Sequence, residues 1–457
     1  MKSSRWVLVI LWTAVLAMAP GVIVGQTTAV SPTPTPVNKV GAPATADPLS
    51  QQSVSTANDQ TNPVYGLQGV LIETLDGKIV SSQSENVPLN PASAVKLATA
   101  LAALKSFGPQ HRFTTGFWTD GTFDKATGQI QGNLYLSGRD PSFHFEHAVM
   151  IARQLNNMGI RSVSGDLIIS PGFTMNFHGS ALRSGELLYD TLDATLRSSE
   201  ATRAWTFERT TLGDQANLQT VPTVAVMGEV QIGSVAPAAR LLLTHKSSQL
   251  TSILKVLLCY SNNFMAERIG DSLGGVESVE RQLTKDLGIV PGELRLASLS
   301  GLGVNRVTPR AMMKVFRSLR TELQKHRLTA ADIMPVAGID PGTLEDRFTG
   351  PPWQGSVIAK TGTLVRTDSG ASSLVGQMRT ARGETLLFVI FNQQGNVSRF
   401  RRNQDYLVMQ VQSSRGGPKA FSYTPIALTM RLSDTKSISG SSETEFEPAL
   451  KQPVNAP

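Results

Sequence analysis

The amino-acid sequence predicts an α+β fold in which helices pack on an antiparallel sheet. Three observations support this class. Residues 69–82, GVLIETLDGKIVSS, have the pattern of two strands around an Asp-Gly turn. Helical patterns cover residues 90–104, 247–275 and 307–324. Two stretches rich in β-forming residues, 356–365 and 384–395, follow these helices.

The stretch between the first helix and the later helices has a different texture. Residues 108–245 combine short strand-like pieces, such as GQIQGNLYLSG and SVSGDLIIS, with one helical pattern, FEHAVMIARQLNNMG. This alternation predicts a mixed, β-rich domain inserted into the helix-and-sheet domain.

The two ends of the chain are predicted to lie outside the folded region. Residues 1–25 carry two basic residues, no acidic residue and a long apolar run, which is typical of a secretion signal or of an uncleaved membrane anchor. Residues 26–62 are rich in Pro, Ser and Thr and predict a disordered spacer. Residues 414–457 form a C-terminal extension, in which missing apolar periodicity predicts disorder from about Ser433.

Composition narrows the functional classes. The 457 residues carry a net charge of +7 at pH 7 and have no dense Lys/Arg run interleaved with aromatic residues, which argues against nucleic acid as a partner. The single cysteine, Cys259, permits no intrachain disulfide and lies in an apolar run typical of a buried residue. Export with one cysteine favours a bacterial periplasm or cell envelope. Nothing in the sequence predicts a cofactor.

The stretch NPASAVKLATALAAL places a hydroxyl and an ammonium group side by side. Asn90 can cap this helix, and Pro91 suits its first position. Ser93 and Lys96, three residues apart, lie on one helical face. Burial would lower the pKa of the lysine, and a neutral amine can take the proton of a serine hydroxyl. The pair therefore predicts a lysine-activated serine nucleophile, although S-x-x-K alone also occurs by chance.

A second element, S-x-N, follows an apolar helical run. Ser261 can relay a proton there, and the amide of Asn263 can bind the backbone of a substrate. In isolation, these residues fit a polar helix boundary equally well. The element gains meaning only beside the other two motifs.

A third element lies in the predicted strand SVIAKTGTLV. The side chains of Lys360 and Thr361 can bind a carboxylate from this strand. Gly362 has no Cβ and lets a ligand backbone approach. The backbone N–H groups of Thr363 and Ser93 can together form an oxyanion hole.

In this order, S-x-x-K, S-x-N and K-T-G are the set of class A β-lactamases and penicillin-binding proteins. The segments GNLYLSGRDPSF, YSNNFMAERIG, SGLGVNRVTPRAM and VIAKTGTL further resemble the type-4 penicillin-binding proteins, the D-alanyl-D-alanine carboxypeptidase/endopeptidase family. The resemblance covers most of residues 64–400. It implies a penicillin-binding/β-lactamase-like transpeptidase domain, residues 63–107 and 246–413, interrupted by the insert 108–245.

The resemblance also implies a function. Ser93 would be acylated and Lys96 would be its base, and the substrates would be the D-Ala-D-Ala ends or D-alanyl cross-links of peptidoglycan stem peptides. β-Lactams would inhibit the enzyme by acylating the same serine. Two alternatives stay open: a catalytically weak or inactive cell-wall-binding relative, and a β-lactamase or esterase of the same superfamily.

Some positions depart from the family pattern. The spacing between the first two motifs is too long for a typical class A β-lactamase and shorter than usual in the type-4 family. Residues 260–262 also fit the Y-x-N motif of class C β-lactamases; S-x-N is preferred because residues 264–267 resemble the type-4 family. Thr174 stands where relatives have an acidic residue that helps to hold the amino end of the stem-peptide side chain. Ser298 likewise replaces an acidic residue.

Histidines are candidate metal ligands and members of catalytic triads. His144 and His147 lie at i, i+3 with Glu146 between them, but no third ligand is evident, so we predict a partly exposed helix start and no metal site. No G-x-S-x-G motif supports a Ser-His-Asp triad. Arg347 is expected to pair with an acidic residue, and residues 313–316 are expected to be core.

Overall fold

The structure is a computed structural model that describes residues 65–212 and 220–439. The predicted signal or anchor (1–25), the predicted spacer (26–62) and the predicted disorder beyond residue 439 lie outside the described residues. Within the two described ranges, no helix is both long enough and apolar enough to cross a membrane.

Groups of strands alternate with groups of helices along the described part of the chain. The strands are β1 (Leu67–Thr74), β2 (Ile79–Gln83), β3 (Thr114–Thr119), β4 (Thr122–Asp124), β5 (Gln129–Gln131), β6 (Leu134–Gly138), β7 (Ser162–Val163), β8 (Leu167–Ile169), β9 (Ala225–Val226), β10 (Val230–Ile232), β11 (Arg240–Lys246), β12 (Leu294–Arg295), β13 (Arg306–Val307), β14 (Val357–Leu364), β15 (Ala371–Arg379), β16 (Thr385–Gln393) and β17 (Lys436–Ser439). The helices are α1 (Lys96–Phe107), α2 (Phe145–Asn157), α3 (Ala181–Leu192), α4 (Ser199–Leu212), α5 (Leu250–Tyr260), α6 (Asn263–Ser272), α7 (Gly275–Asp286), α8 (Pro309–Lys325), α9 (Ala330–Ile333), α10 (Val397–Ser414) and α11 (Leu428–Ser433).

A five-stranded sheet forms the centre of the first domain. Its order is β14-β15-β16-β1-β2, and every neighbouring pair is antiparallel. Side chains alternate between its faces: Leu71 and Val389 join the core formed with α1, α5 and α8, whereas Ile72 and Phe388 join the core on the opposite face. Both faces are apolar, so the strands read as nearly continuous hydrophobic runs. The predicted α+β fold with an antiparallel sheet is confirmed.

The first helix begins later than predicted. Residues Ala92–Val95 form a 3-10 turn, and α1 starts at Lys96. The Oδ1 of Asn90 accepts a hydrogen bond from Ala92 N, 3.0 Å away, so Asn90 closes a short turn instead of capping the α-helix. Ala92 also has a positive φ of 45°, which interrupts helical geometry. Ser93 is therefore presented on a tight turn in front of the helix.

The predicted helical stretch 247–275 contains a sharp break. Ser261 ends α5 in the left-handed conformation, with φ 57° and ψ 40°. The side chain of Asn262 then caps α6 by accepting a hydrogen bond from Met265 N at 2.9 Å. The break lets Ser261 contact Lys360 on β14 and lets Asn263, at the start of α6, contact Lys96 on α1.

A second sheet has the order β10-β8-β6-β3-β11-β17. The pairs β10-β8 and β8-β6 are parallel, and the others are antiparallel. Except for β17, its strands come from the predicted inserted region, and α2 and α3 pack against them around a separate hydrophobic core. The mixed, β-rich character predicted for this region is confirmed.

The C-terminal extension differs from its prediction. Residues from about Ser433 were expected to be disordered, but Lys436–Ser439 form β17, which pairs antiparallel with β11. An edge strand offers unpaired N–H and C=O groups, and a short segment can pair with them without any apolar periodicity of its own. The preceding helix α11 packs on α5. The extension therefore contacts both domains.

Smaller predictions are also confirmed. Cys259, Met313 and Phe316 are buried in the core. Burial raises the pKa of the Cys259 thiol to about 12, so the thiol is not a nucleophile at neutral pH. Arg347 pairs with Asp405, with 2.6 Å between Arg347 Nη2 and Asp405 Oδ1.

A buried ion pair connects α5 to the segment before β14. Lys255 Nζ lies 2.6 Å from Asp340 Oδ2, and both side chains are at most 1% exposed. Asp340 also accepts hydrogen bonds from Tyr423 Oη (2.7 Å) and Val336 N (2.8 Å). Because these hydrogen bonds satisfy the buried carboxylate, the ion pair fixes the position of α5, whose C-terminal end carries Ser261.

We expect Asp340→Ala to lower the free energy of unfolding by about 3–5 kcal/mol, because it leaves the Lys255 ammonium buried without a counter-charge. Guanidinium denaturation would measure this change. The matched control is Glu186→Ala, which removes an exposed ion pair with Arg183 and should cost less than about 1 kcal/mol. Equal losses in the two variants would contradict the assigned role of the buried pair.

Candidate active site

Ser93 and Lys96 lie side by side where the start of α1 meets the start of α6 and the loop at Ser300. Lys96 Nζ is 3.2 Å from Ser93 Oγ, 2.7 Å from Asn263 Oδ1 and 2.5 Å from the carbonyl oxygen of Ser300. Lys96 is fully buried, whereas Ser93 is half-buried. The structure thus brings the first two predicted motifs together around one amine.

The three contacts fix the direction of the lysine lone pair. Asn263 Oδ1, in the assigned amide orientation, and the Ser300 carbonyl can only accept hydrogen bonds. A neutral amine has two N–H bonds, which these two oxygens take. The lone pair of Lys96 Nζ is then left for the hydroxyl of Ser93, as a general base requires.

The electrostatics of the site favour a neutral amine near physiological pH. Burial lowers the pKa of Lys96 from its usual range to about 7, and the Glu267 carboxylate partly opposes this by attracting the ammonium form. Glu267 is held by the backbone, since it accepts a hydrogen bond from Ser300 N at 2.9 Å. The loop at Ser300 therefore contacts both Lys96 and Glu267, the acid that raises the pKa of Lys96.

The third motif contacts the second directly. Lys360 Nζ lies 2.9 Å from Ser261 Oγ and 2.7 Å from the carbonyl oxygen of Thr361. Burial, and then the nearby charge of Lys96, keep the pKa of Lys360 well below its usual range. An anion bound beside Lys360 would restore its charged form, so this lysine is suited to a carboxylate ligand.

β14 supplies backbone donors as well as side chains. It is an edge strand of the five-stranded sheet, and its Ala359 N–H donates to Pro335 O at 3.3 Å. Because the N–H groups of alternate residues point to the same edge, those of Thr361 and Thr363 face this edge too. On α10, Arg401 Nη2 donates to Thr363 Oγ1 at 2.7 Å, which adds a second cationic group that the sequence did not indicate.

Gly362 is the point of closest approach between β14 and the Ser93 turn. A Cβ built on it would lie 2.2 Å from Ser373 Oγ, 2.6 Å from Pro91 O and 2.9 Å from Ser93 N. Ser373 Oγ itself donates to Pro91 O at 2.6 Å. The glycine predicted to admit a ligand backbone therefore also admits the turn that carries the nucleophile.

The sequence did not reveal a network behind the Ser93 turn. Asn90 Nδ2 donates to Asp368 Oδ2 at 2.7 Å, and Asp368 forms an ion pair with Arg306 at 2.7 Å. In the loop that contacts Lys96, a Cβ on Gly301 would lie 2.0 Å from Ala92 O. Only the S-G-L-G sequence could have signalled this contact, since a glycine at a positive φ of 87° indicates close backbone packing.

Ser298 and Thr174, the two positions that depart from the family pattern, lie in different surroundings. Ser298 Oγ donates to Leu302 O at 2.9 Å and accepts from Gly301 N at 3.0 Å, so it shapes the S-G-L-G loop. Thr174 is 5% exposed. Phe177, three residues further along, reaches α6, where its ring centroid lies 5.9 Å from that of Phe264. The inserted domain thus contacts the helix that begins at Asn263.

The fold and the serine–lysine site define a class, the serine penicillin-recognising proteins. Comparison with protein families makes this specific. Residues 51–176 and 211–412 match the D-Ala-D-Ala carboxypeptidase 3 (S13) family, and the chain belongs to that family. The prediction of a serine-type D-Ala-D-Ala carboxypeptidase of the type-4 kind is confirmed. Residues 177–210, in the inserted region, lie outside the match.

Individual relatives agree with this assignment. The D-alanyl-D-alanine carboxypeptidase of Actinomadura sp. (strain R39) is 26% identical over 424 residues, covering 71% of this chain and 77% of that protein. Carboxypeptidase DacB of Mycolicibacterium smegmatis is 26% identical over 405 residues, covering 77% and 84%. The fold is similar to that of a penicillin G-acylated predatory endopeptidase from Bdellovibrio bacteriovorus in complex with an immunity protein. The TM-score is 0.67 and the identity 23%, over 79% of this chain and 96% of that one.

We expect Gly362→Ala to slow acylation by fluorescent penicillin about 100-fold, because the new Cβ displaces the Ser93 turn by a fraction of an ångström or more. Stopped-flow or gel-based labelling would measure the rate. Gly179→Ala is the matched control, since a Cβ there meets nothing within 4 Å. If both variants were labelled at the wild-type rate, the tight approach at Gly362 would have no catalytic role.

Proposed function

We propose that this protein cleaves D-alanyl bonds of peptidoglycan stem peptides through an acyl-enzyme on Ser93. It would act both on D-Ala-D-Ala ends and on D-alanyl cross-links. The observation that carries the proposal is the buried amine of Lys96, whose only hydroxyl contact among the described residues is Ser93 Oγ. Family membership supplies the substrate class.

The acylation step follows from these contacts. Lys96 Nζ takes the proton of the Ser93 hydroxyl while Oγ attacks the carbonyl carbon of the penultimate D-Ala. The N–H groups of Ser93 and Thr363 face the oxygen that becomes negative. The C–N bond then breaks, and the proton held by Lys96 passes to the departing amine through Ser261, whose Oγ lies 2.9 Å from Lys360 Nζ. Lys96 is neutral again in the acyl-enzyme.

The terminal carboxylate of the substrate would bind along the open edge of β14. The Lys360 ammonium lies beside the carbonyl oxygen of Thr361, and Arg401 donates to the hydroxyl of Thr363. Asn263 would hold the substrate backbone with its amide N–H group, because its Oδ1 is used by Lys96. A cross-link carries its carboxylate in another place, so the two substrates would use this edge differently.

The second half of the reaction is hydrolysis. A water molecule attacks the ester carbonyl, its proton passes to Lys96, and Lys96 gives this proton to the Ser93 oxygen as the C–O bond breaks. A β-lactam presents a strained amide to the same serine. The ring opens without losing a leaving group, which stays tethered in the site and obstructs water, so the ester persists.

We also propose that the protein works in the bacterial periplasm or cell envelope. The substrate class lies in the wall, and residues 1–25 have the composition of a secretion signal or an anchor. An uncleaved anchor would attach the enzyme to the membrane. The mass of the N-terminal peptide of the native protein distinguishes cleavage from anchoring.

The decisive experiment is intact-mass analysis after incubation with excess penicillin. We expect a stable adduct of one penicillin, mapped to Ser93, and no adduct on Ser93→Ala, which keeps the fold because it removes a single oxygen. Digestion of D-Ala-D-Ala peptides and cross-linked muropeptides would then assign the two activities.

Other outcomes select the alternatives. Intact penicillin with no adduct would favour a cell-wall-binding relative without catalysis. Consumed penicillin with no adduct would favour a β-lactamase or esterase. Turnover by Ser93→Ala would overturn the assignment of the nucleophile.

The pH dependence tests the role of Lys96. The second-order acylation rate constant should rise through about pH 7, because the neutral amine gains population as pH passes the lowered pKa of Lys96. Glu267→Gln should move this rise to lower pH, since the Glu267 charge favours the ammonium form. Rates from about pH 5 to about pH 9 would define the profile. Glu186→Gln, on an exposed helix face, should leave it unchanged; a shift to higher pH in Glu267→Gln would contradict the mechanism.

A further inference from the structure

The inserted domain contains a buried cluster of metal-ligating side chains that belong to none of the catalytic motifs. Asp140 follows β6, His147 lies on α2 and His245 lies on β11. One ligand atom from each lies within 4.8 Å of the other two. The residues are 1%, 3% and 0% exposed, respectively. The sequence suggested no third ligand for His147 because Asp140 and His245 come together only in the fold, and the expected partly exposed helix start is wrong for His147.

Two atoms of this cluster have no hydrogen-bond partner within residues 65–212 and 220–439. They are Asp140 Oδ2 and His245 Nε2, and both are inaccessible to solvent. A buried polar atom without a partner costs free energy, most of all on a carboxylate. Native interiors rarely leave such atoms unpaired, so a ligand between them is the natural explanation.

The opposite atoms of the same side chains are firmly held. Asp140 Oδ1 accepts hydrogen bonds from Ser142 N at 2.8 Å and Ser142 Oγ at 2.6 Å. His245 Nδ1 lies 2.9 Å from Ser437 Oγ. Metal-binding carboxylates and imidazoles are commonly oriented by such partners on their other atom. These hydrogen bonds thus fix the orientation of the two unpartnered atoms, Asp140 Oδ2 and His245 Nε2.

His147 completes the set at the cost of one existing contact. Its Nδ1 accepts from His144 N at 3.0 Å, and its Nε2 lies 3.3 Å from Leu432 O. Binding an ion exchanges one of these hydrogen bonds for a metal–nitrogen bond. The ring of Phe143 lies against both imidazoles, with centroid distances of 5.5 Å to His147 and 5.7 Å to His245, which keeps the surroundings apolar.

We propose that Asp140, His147 and His245 bind a divalent transition-metal ion of the zinc type. Two imidazole nitrogens and one carboxylate oxygen are a donor set that suits zinc, and the positive ion offsets the buried carboxylate. Leu432 and Ser437, which contact the two histidines, belong to α11 and β17. The ion therefore fixes the imidazole of His245, whose Nδ1 contacts Ser437 of the C-terminal extension, and its role is structural.

The proposal is tested on the full chain after treatment with a chelator. Equilibrium dialysis against Zn²⁺, followed by elemental analysis, should find about one tightly bound zinc per chain, and Zn²⁺ should raise the melting temperature. Co²⁺ in place of Zn²⁺ should give visible absorption bands of a site with nitrogen and oxygen ligands.

Variants locate the site. His245→Gln should abolish the tight zinc, and Ser437→Ala, which removes only the partner of the imidazole, should weaken zinc binding about 10- to 100-fold. His326→Gln changes a half-exposed histidine on another helix end and should bind zinc like the wild type. Near-UV circular dichroism would verify that each variant is folded.

Two results would overturn the proposal. One is a wild-type chain that takes up no zinc and shows no rise in melting temperature. The other is tight zinc that survives in both His245→Gln and Ser437→Ala. Either result would leave a trapped water or a shared proton between Asp140 and His245 as the partner of the two atoms.

Discussion

The active site depends on one buried amine. Lys96 reaches oxygens from the Ser93 turn, the start of α6 and the loop at Ser300, so three separate segments meet at its Nζ. The ammonium form is disfavoured there because the site is dry, and the same dryness strengthens each hydrogen bond that holds the amine. The packing of these three segments and the reactivity of Lys96 therefore depend on the same dry environment. A change that admits water to Lys96 would weaken the contacts between the segments. It would also return the amine to its inactive, charged form.

Other features of the fold bring these three segments together. The left-handed Ser261 breaks a helix so that its hydroxyl faces Lys360, and Gly362 lets the edge strand touch the Ser93 turn. The five-stranded antiparallel sheet supplies the rigid edge. Backbone donors on that edge cost nothing to orient during a reaction, since the sheet has fixed them already.

The sequence predicted the sheet, the main helices and the three motifs because each has local periodicity or a local pattern. It did not predict what depends on distant packing. The 3-10 turn at Ser93 follows from Asn90 and Ala92, the tuning acid Glu267 lies far from Lys96 in the chain, and β17 has no apolar pattern because it borrows the edge of β11. The Asp140 cluster likewise has no signature, since its members come from separate elements.

The pairing of β17 with β11 has a consequence for the edge of the second sheet. Residues 436–439 pair with residues 243–246 and so cover N–H and C=O groups that β11 would otherwise leave unpaired. An uncovered sheet edge is a template for pairing with another chain. Detachment of the C-terminal extension would therefore expose an edge at which two copies of the protein can aggregate.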